Sequence, residues 1–329
     1  MDLLTLAISF FAGCFAACIG GGAAFVLHGL IGLVGVAALG SADATLAFGI
    51  SFGPLLVPFC SYAAGVAALQ YACRRGYTTE RTNSMMPLIS LGKYDVIIVG
   101  GLFAVIGQLV GTVSSSLLGQ YMDTGSFSVL TVLVIAKLVF APKEWLGVVS
   151  DEVKAVGGRF SPKAPGWGPF ATIAAGKLVL GAIVAAFSAF MYQTMMASEA
   201  LSAVAMYAGY FLFAFVLFLG IPPFFNIALV TTMTIAASGS IICGIAGGVL
   251  TLFICDLLSR LFSCHATGGY IDCVAASICT TSLITYGLLP MTGIYNVEFL
   301  FPIVVALVVL VAYFVEKKHD VKAISALEV

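Results

Sequence analysis

Polar side chains inside long apolar stretches are the residues best able to do chemistry in this sequence. His28 stands between Leu27 and Gly29 in the middle of one such stretch, where an imidazole in hydrocarbon requires a partner. The sequence leaves two roles open for it, lining a solute pathway or hydrogen bonding across a helix interface. The wider set of candidate pathway residues is His28, Asp43, Ser51, Asn226, Asp272, Ser277, Thr280 and Thr281.

Two aspartates in this set occupy similar places in the sequence. Asp43 and Asp272 each precede an apolar segment rich in glycine, serine or threonine. A carboxylate at that position caps free backbone amides and interacts well with the positive end of the helix dipole, so capping alone explains both residues. Carboxylates that reach a cavity would instead offer a cation or proton site, whereas uncapped amides and hydroxyls would suit an anion.

A second cluster gathers two thiols, an imidazole and a carboxylate within ten residues. These weak metal-ligand candidates are Cys264, His265, Asp272 and Cys273. Cysteine and histidine are the usual ligands of zinc and copper, but the spacing matches no closed zinc site, and a turn capped by Asp272 explains the same residues. We expect no cofactor, because no nucleotide-binding loop of the GxxxxGK[ST] type is present.

The amino-acid composition indicates which class of protein these side chains belong to. The 329 residues are 61% hydrophobic and 9% charged, whereas about a quarter of a soluble domain is charged. Apolar segments long enough for a bilayer of roughly 30 Å recur along the chain. They lie near 3–21, 23–41, 44–72, 96–118, 126–141, 170–191, 200–220, 224–239, 240–259, 271–289 and 297–315. The sequence therefore predicts an all-α polytopic membrane protein with about 9–11 transmembrane helices, including broken or re-entrant ones.

A polar segment divides the chain into two membrane halves. The predicted organisation is a first half at 1–141, a cytoplasmic linker at 142–169, a second half at 170–315 and a cytoplasmic tail at 316–329. Lys and Arg cluster near 74–93, 143–163 and 317–322, and short basic loops are retained in the cytoplasm. The segments beginning at Asp43 and Asp272 are third and tenth in order. That odd offset makes them antiparallel, as in transporters with inverted repeats.

Three stretches are similar to one uncharacterised family of archaeal and bacterial multi-pass membrane proteins. They are Asp43–Gly76, Asp123–Phe140 and His265–Asp272. The resemblance covers most of the chain and implies a membrane architecture but no known activity. In that family prolines follow the second aspartate, whereas Cys273 and Val274 follow it here.

These features favour a permease or channel for a small solute or ion in the cell membrane, with a site midway between the two halves. A non-transporting subunit or scaffold of a larger complex is the alternative, and an intramembrane enzyme would need a catalytic constellation that the sequence does not contain. The expected partners are the lipid bilayer and the solute. Nucleic acid is excluded, because the net charge is −1 and no broad basic face exists. Substrate, coupling ion, direction and oligomeric state stay open, a homo-oligomer included.

Overall fold

The computed structural model describes residues 2–39, 49–168, 173–262 and 271–321, and these contain helices and no β-strand. Thirteen α-helices follow one another in this part of the chain. They are α1 (Leu3–Ile19), α2 (Gly21–Leu39), α3 (Tyr62–Arg74), α4 (Tyr94–Leu118), α5 (Thr124–Phe140), α6 (Asp151–Ala155), α7 (Ala174–Met196), α8 (Ala205–Phe215), α9 (Phe225–Ser238), α10 (Ile241–Leu261), α11 (Cys273–Ser282), α12 (Leu289–Thr292) and α13 (Leu300–Lys318).

Helix length and composition confirm the prediction of an all-α polytopic membrane protein. Six helical stretches of the described chain are long and apolar enough to cross a membrane, and α1 with α2 adds a seventh as a pair bent by 113°. They are α4, α7, α8 with its flanking turns, α10, α11 continued through α12, and α13. Each of the eleven predicted apolar segments overlaps one of these helices, one of the shorter apolar helices α5 and α9, or α3.

Two of the short helices start after a break in the backbone. The apolar segment 44–72 is broken in its described part, as its glycine and prolines predict, and α3 begins only at Tyr62. Residues 52–61 form turns and bends, because Gly53, Pro54 and Pro58 interrupt the helical hydrogen bonds. Likewise Pro222 and Pro223 precede α9. With 13 and 14 residues, α3 and α9 reach only about 20 Å, less than a bilayer core.

The helix contacts repeat between the two halves of the chain. In the first half α1 packs on α3 and α4, α3 packs on α4 and α5, and α2 packs on α3. In the second half α7 packs on α9 and α10, α9 packs on α10 and α11, and α8 packs on α9. Helices α1–α5 therefore correspond to α7–α11. The halves meet where corresponding helices touch, α2 on α8 and α5 on α11.

The α5–α11 pair shows the relative direction of the halves. The backbone N–H of Asp123, just before α5, donates to the hydroxyl of Ser282, the last residue of α11, at 3.0 Å. Two packed helices of which one starts where the other ends run antiparallel. This is the arrangement expected of an inverted repeat. Asp43 lies outside the described residues, and the partner of Asp272 in this repeat is Asp123.

Glycine permits the closest helix contacts in both halves. A Cβ on Gly100 of α4 would lie 2.7 Å from the carbonyl oxygen of Gly13 on α1. In the corresponding pair, a Cβ on Gly181 of α7 would lie 3.0 Å from the Cα of Val249 on α10. Small residues let helices approach closely in membranes, where dispersion contacts replace the hydrophobic effect.

The basic segments gather around the linker between the halves. Arg81 of the 75–93 loop pairs with Glu144 at 3.2 Å, and Arg260 at the end of α10 donates to the Ser161 carbonyl at 2.8 Å. Glu316, near the end of α13, accepts from the N–H that begins α7 at 2.8 and 2.9 Å. The three predicted cytoplasmic segments thus share one end of the molecule.

A buried ion-pair network joins this end to the second half. Asp256 on α10 bonds to the Lys177 ammonium of α7 at 2.8 Å and to Arg260 Nε at 3.3 Å. Its other carboxylate oxygen accepts from the Trp167 backbone N–H at 3.0 Å. All three charged side chains are buried, so the two cations depend on the one carboxylate of Asp256 and not on water for compensation.

We expect Asp256→Ala to destabilise the protein by about 3–5 kcal/mol, because it leaves two buried cations without their carboxylate. The measurement is unfolding in mixed micelles, with fluorescence as the readout. Asp151→Ala is the matched control, since it removes an exposed carboxylate paired with Lys154, and it should leave the midpoint unchanged. Equal midpoints for Asp256→Ala and wild type would contradict a structural role for the network.

Candidate functional site

A cavity of about 210 Å³ lies between the two halves. Its wall includes residues from α2, α3, α5, α8, α9 and α11, which are three corresponding pairs of the repeat. One water molecule needs only about 10–15 Å³ of such space, so the cavity has room for a small organic molecule. Its position between inverted halves matches the place where transporters of this architecture bind solute.

Helices α5 and α11 line the cavity with equivalent positions. Each contributes its capping aspartate and the second, third and sixth residues after that aspartate. The α5 set is Asp123, Gly125, Ser126 and Val129, and the α11 set is Asp272, Val274, Ala275 and Ile278. The repeat therefore brings two carboxylates to one cavity.

The two short helices begin at the same cavity. Tyr62 and Phe225, the first residues of α3 and α9, both line it. Helix starts carry free backbone N–H groups and the positive end of the helix dipole. Irregular backbone at membrane depth is tolerated where it is buried in protein or lines a cavity, and both breaks meet this condition.

Both carboxylates cap their helices but lack a counter-charge. Asp272 Oδ1 accepts from the Val274 N–H at 2.8 Å, and Asp123 Oδ2 accepts from the Ser126 N–H at 2.7 Å. The Tyr62 hydroxyl also bonds to Asp272. Within the described ranges, no Lys, Arg or His forms an ion pair with either aspartate. The side chain of Asp272 is buried and that of Asp123 is partly exposed.

Aromatic rings form another part of the wall. Phe25 of α2 lies 5.5 Å from Tyr62, 6.0 Å from Tyr210 and 4.8 Å from Phe225, measured between ring centroids. Phe52 lies 6.2 Å from Tyr210. All five rings line the cavity.

The 75–93 loop covers the cavity at the bend between α1 and α2. Ser84 and Met85 line the cavity, and the Ser84 carbonyl accepts from the Gly22 N–H at 2.8 Å. Gly20, at the bend, has φ +96°, and a Cβ there would lie 2.7 Å from the Met85 carbonyl oxygen. A residue with a side chain would meet both strain and a clash at this position.

His28 and Ser51 are bonded to each other behind this wall. His28 Nδ1 lies 2.8 Å from both the hydroxyl and the carbonyl of Ser51, whose hydroxyl donates to the His28 carbonyl at 2.7 Å. Both residues are fully buried. Neither lines the cavity, but His28 stacks on Phe25, which does. This geometry favours packing, one of the two roles left open by the sequence.

The other predicted pathway residues lie beside the cavity and not in its wall. Asn226 on α9 donates to the Ser277 hydroxyl on α11 at 3.0 Å, which joins two of the wall helices. Thr280 and Thr281 follow on α11, and Thr281 is fully buried. Of the described candidates, only Asp272 reaches the cavity itself.

The structure brings together only part of the metal candidates. Cys264 and His265 lie outside the described residues. Cys273 Sγ lies 4.0 Å from Cys255 Sγ of α10. Among the described residues, no group of three or more His, Cys, Asp or Glu side chains is placed to hold a metal ion.

Sequence reasoning missed Asp123 and the aromatic wall as site residues. A signal for Asp123 was present, because both aspartates are followed by serine at the fifth position, Ser128 and Ser277, and by threonine at the eighth, Thr131 and Thr280. No comparable signal marks the rings, because the 25 Phe and 12 Tyr residues are spread along most of the chain.

Comparison with known proteins gives one match. Residues 1–152 match the model of DUF7973, a family of unknown function. The matched part covers helices α1–α5 and the start of the linker, so it coincides with the first half of the repeat. No curated protein and no solved structure matches the chain. The resemblance to an uncharacterised family is thus supported for the first half, and the match says nothing about activity.

Proposed function

We propose that this protein is a membrane permease that moves a small solute or ion through the cavity between its two halves. The observation that carries the proposal is the pair of carboxylates, Asp123 and Asp272, at equivalent positions of antiparallel helices in one cavity. Charges inside a membrane protein are expensive and mark solute or ion pathways.

The contrast with Asp256 supports a functional reason for this pair. Asp256 is also buried, and Lys177 and Arg260 neutralise it. Asp123 and Asp272 accept from helix amides, and neither forms an ion pair with another described residue. An asparagine would cap either helix nearly as well, so stability alone does not require a negative charge at these positions.

The proposed motion follows from the repeat. In transporters with inverted repeats, one half rocks against the other around a fixed midplane site. Here the contacts between corresponding helices, α2 with α8 and α5 with α11, border the cavity. A change at these two contacts would open the cavity toward one side of the membrane and close it toward the other.

We expect purified protein in sealed vesicles to move at least one member of a panel of small cations, anions and neutral solutes. The readout is charge movement or isotope uptake under imposed gradients of solute, H⁺ or Na⁺. Asp123→Asn and Asp272→Asn should reduce the rate at least tenfold in folded protein. Asp2→Asn is the matched control, because Asp2 caps α1 through the Thr5 N–H at 2.7 Å and lies outside the cavity wall.

A non-transporting subunit or scaffold would move no solute in this assay. The same holds for an intramembrane enzyme. Rates in Asp123→Asn and Asp272→Asn equal to that of wild type would place the pathway elsewhere in the protein.

We also expect water to reach the cavity during the transport cycle. A cysteine at Ser126, which lines the cavity, should react with a membrane-impermeant thiol reagent in a background without the native cysteines. A cysteine at Ser128 is the matched control, since Ser128 is fully buried and bonds to Ser114 at 2.9 Å. Reaction at both positions, or at neither, would contradict a water-accessible pathway along this face of α5.

A further inference from the structure

The cavity combines negative charge with aromatic surface. Asp123 and Asp272 supply two carboxylates without an ion-pair partner in the described part of the chain. Phe25, Tyr62 and Tyr210 supply rings in the same wall. A ligand that fits both features carries a positive charge and an apolar body.

We infer that the solute recognised by this cavity is a small organic ammonium ion, with its charge held by one of the two carboxylates, Asp123 or Asp272, and its carbon atoms against the aromatic wall. This inference rests on the proposed function, because it names the substrate class of the same site.

Charge balance is the first argument. A carboxylate in a low-dielectric interior needs a compensating charge or a proton. Each aspartate accepts a backbone N–H bond, and a bound cation would supply the charge that Lys177 and Arg260 supply to Asp256. Anions are disfavoured, since the same two carboxylates would repel them.

The wall chemistry separates an organic cation from a metal ion. Hard cations such as Mg²⁺ and Ca²⁺ are bound by about six to eight oxygen ligands. Much of this wall is ring and aliphatic carbon instead. A ring face attracts a cation within about 6 Å of its centroid. A cavity of about 210 Å³ also exceeds the space that a bare ion needs.

The tyrosines have a matching role. Tyr62 bonds to Asp272, and Tyr210 lines the same cavity as both carboxylates. Tyr210 also contacts Phe225 at 5.7 Å between centroids, in an edge-on arrangement. These packed rings form a rigid surface, which favours binding because little side-chain entropy is lost.

The test uses isothermal titration calorimetry on the purified full-length protein in detergent. The probes are benzylammonium, benzyltrimethylammonium, neutral benzyl alcohol and sodium chloride. We expect both ammonium ions to bind at least tenfold tighter than benzyl alcohol, which has a similar shape without the charge. Equal affinity for benzyl alcohol, or heat from sodium chloride alone, would overturn the inference.

Variants assign the binding to this cavity. At least one of Asp123→Asn and Asp272→Asn should weaken benzylammonium at least tenfold, and Asp2→Asn should leave its affinity unchanged. Tyr210→Leu should weaken it about fivefold, whereas Tyr210→Phe, which keeps the ring, should retain most of it. Each variant is first checked for folding by size-exclusion chromatography. Wild-type affinity in both asparagine variants would also overturn the inference.

The two proposals fail in different ways. Charge-dependent benzylammonium binding without solute movement in sealed vesicles would support the cation site and contradict the permease. Movement of anions or inorganic ions through protein that binds neither ammonium probe would support the permease and contradict the ammonium site.

Discussion

A charge in the membrane interior must be neutralised, and this constraint governs the placement of the polar groups in this protein. The chain meets it in two ways. Asp256 is surrounded by Lys177, Arg260 and a backbone N–H, a closed arrangement that holds α7, α10 and the linker together. Asp123 and Asp272 each accept a hydrogen bond from a helix N–H, which balances their charge only in part. Both side chains face a cavity. The first arrangement is structural, and the second leaves a place for a ligand.

The repeat explains how two open carboxylates come to the same place. Corresponding helices make the same contacts in both halves, and α5 begins where α11 ends. Because the helix that begins with a capping aspartate occurs once in each half, two capping aspartates lie at the interface between the halves. The halves are not identical, because the 75–93 loop has no counterpart between α9 and α10, where Gly239 and Ser240 alone connect the helices. This loop places Ser84 and Met85 over one part of the cavity.

The sequence predicted the architecture better than the site. Apolar length and low charge located the six described helical stretches, and the bent α1–α2 pair, that are long and apolar enough to cross a membrane, fewer than the 9–11 transmembrane helices predicted. Gly53, Pro54 and Pro58 predicted a break in the 44–72 segment, and α3 starts after them. Asp272 was identified correctly as a helix cap.

The repeat partner of Asp272 was assigned to Asp43, outside the described residues, and the structure supplies Asp123 instead. Several aspartates in this chain precede an apolar segment, so this short pattern alone does not identify which two correspond in the repeat. Only the contact between Asp123 and Ser282 shows which helix stands opposite α11. Aromatic wall residues were equally hidden, since their common cavity depends on tertiary contacts among α2, α3, α8 and α9.

The antiparallel contact of α5 and α11 is the central claim, and distances between spin labels measure it directly. One label replaces exposed Leu288, after α11, and a second replaces either exposed Tyr121, before α5, or exposed Val139, near its end. The inverted arrangement predicts a Leu288–Val139 distance longer than the Leu288–Tyr121 distance by on the order of 20 Å, the length of α5 between them. A shorter Leu288–Val139 distance would mean that the two helices run parallel, and would contradict the account.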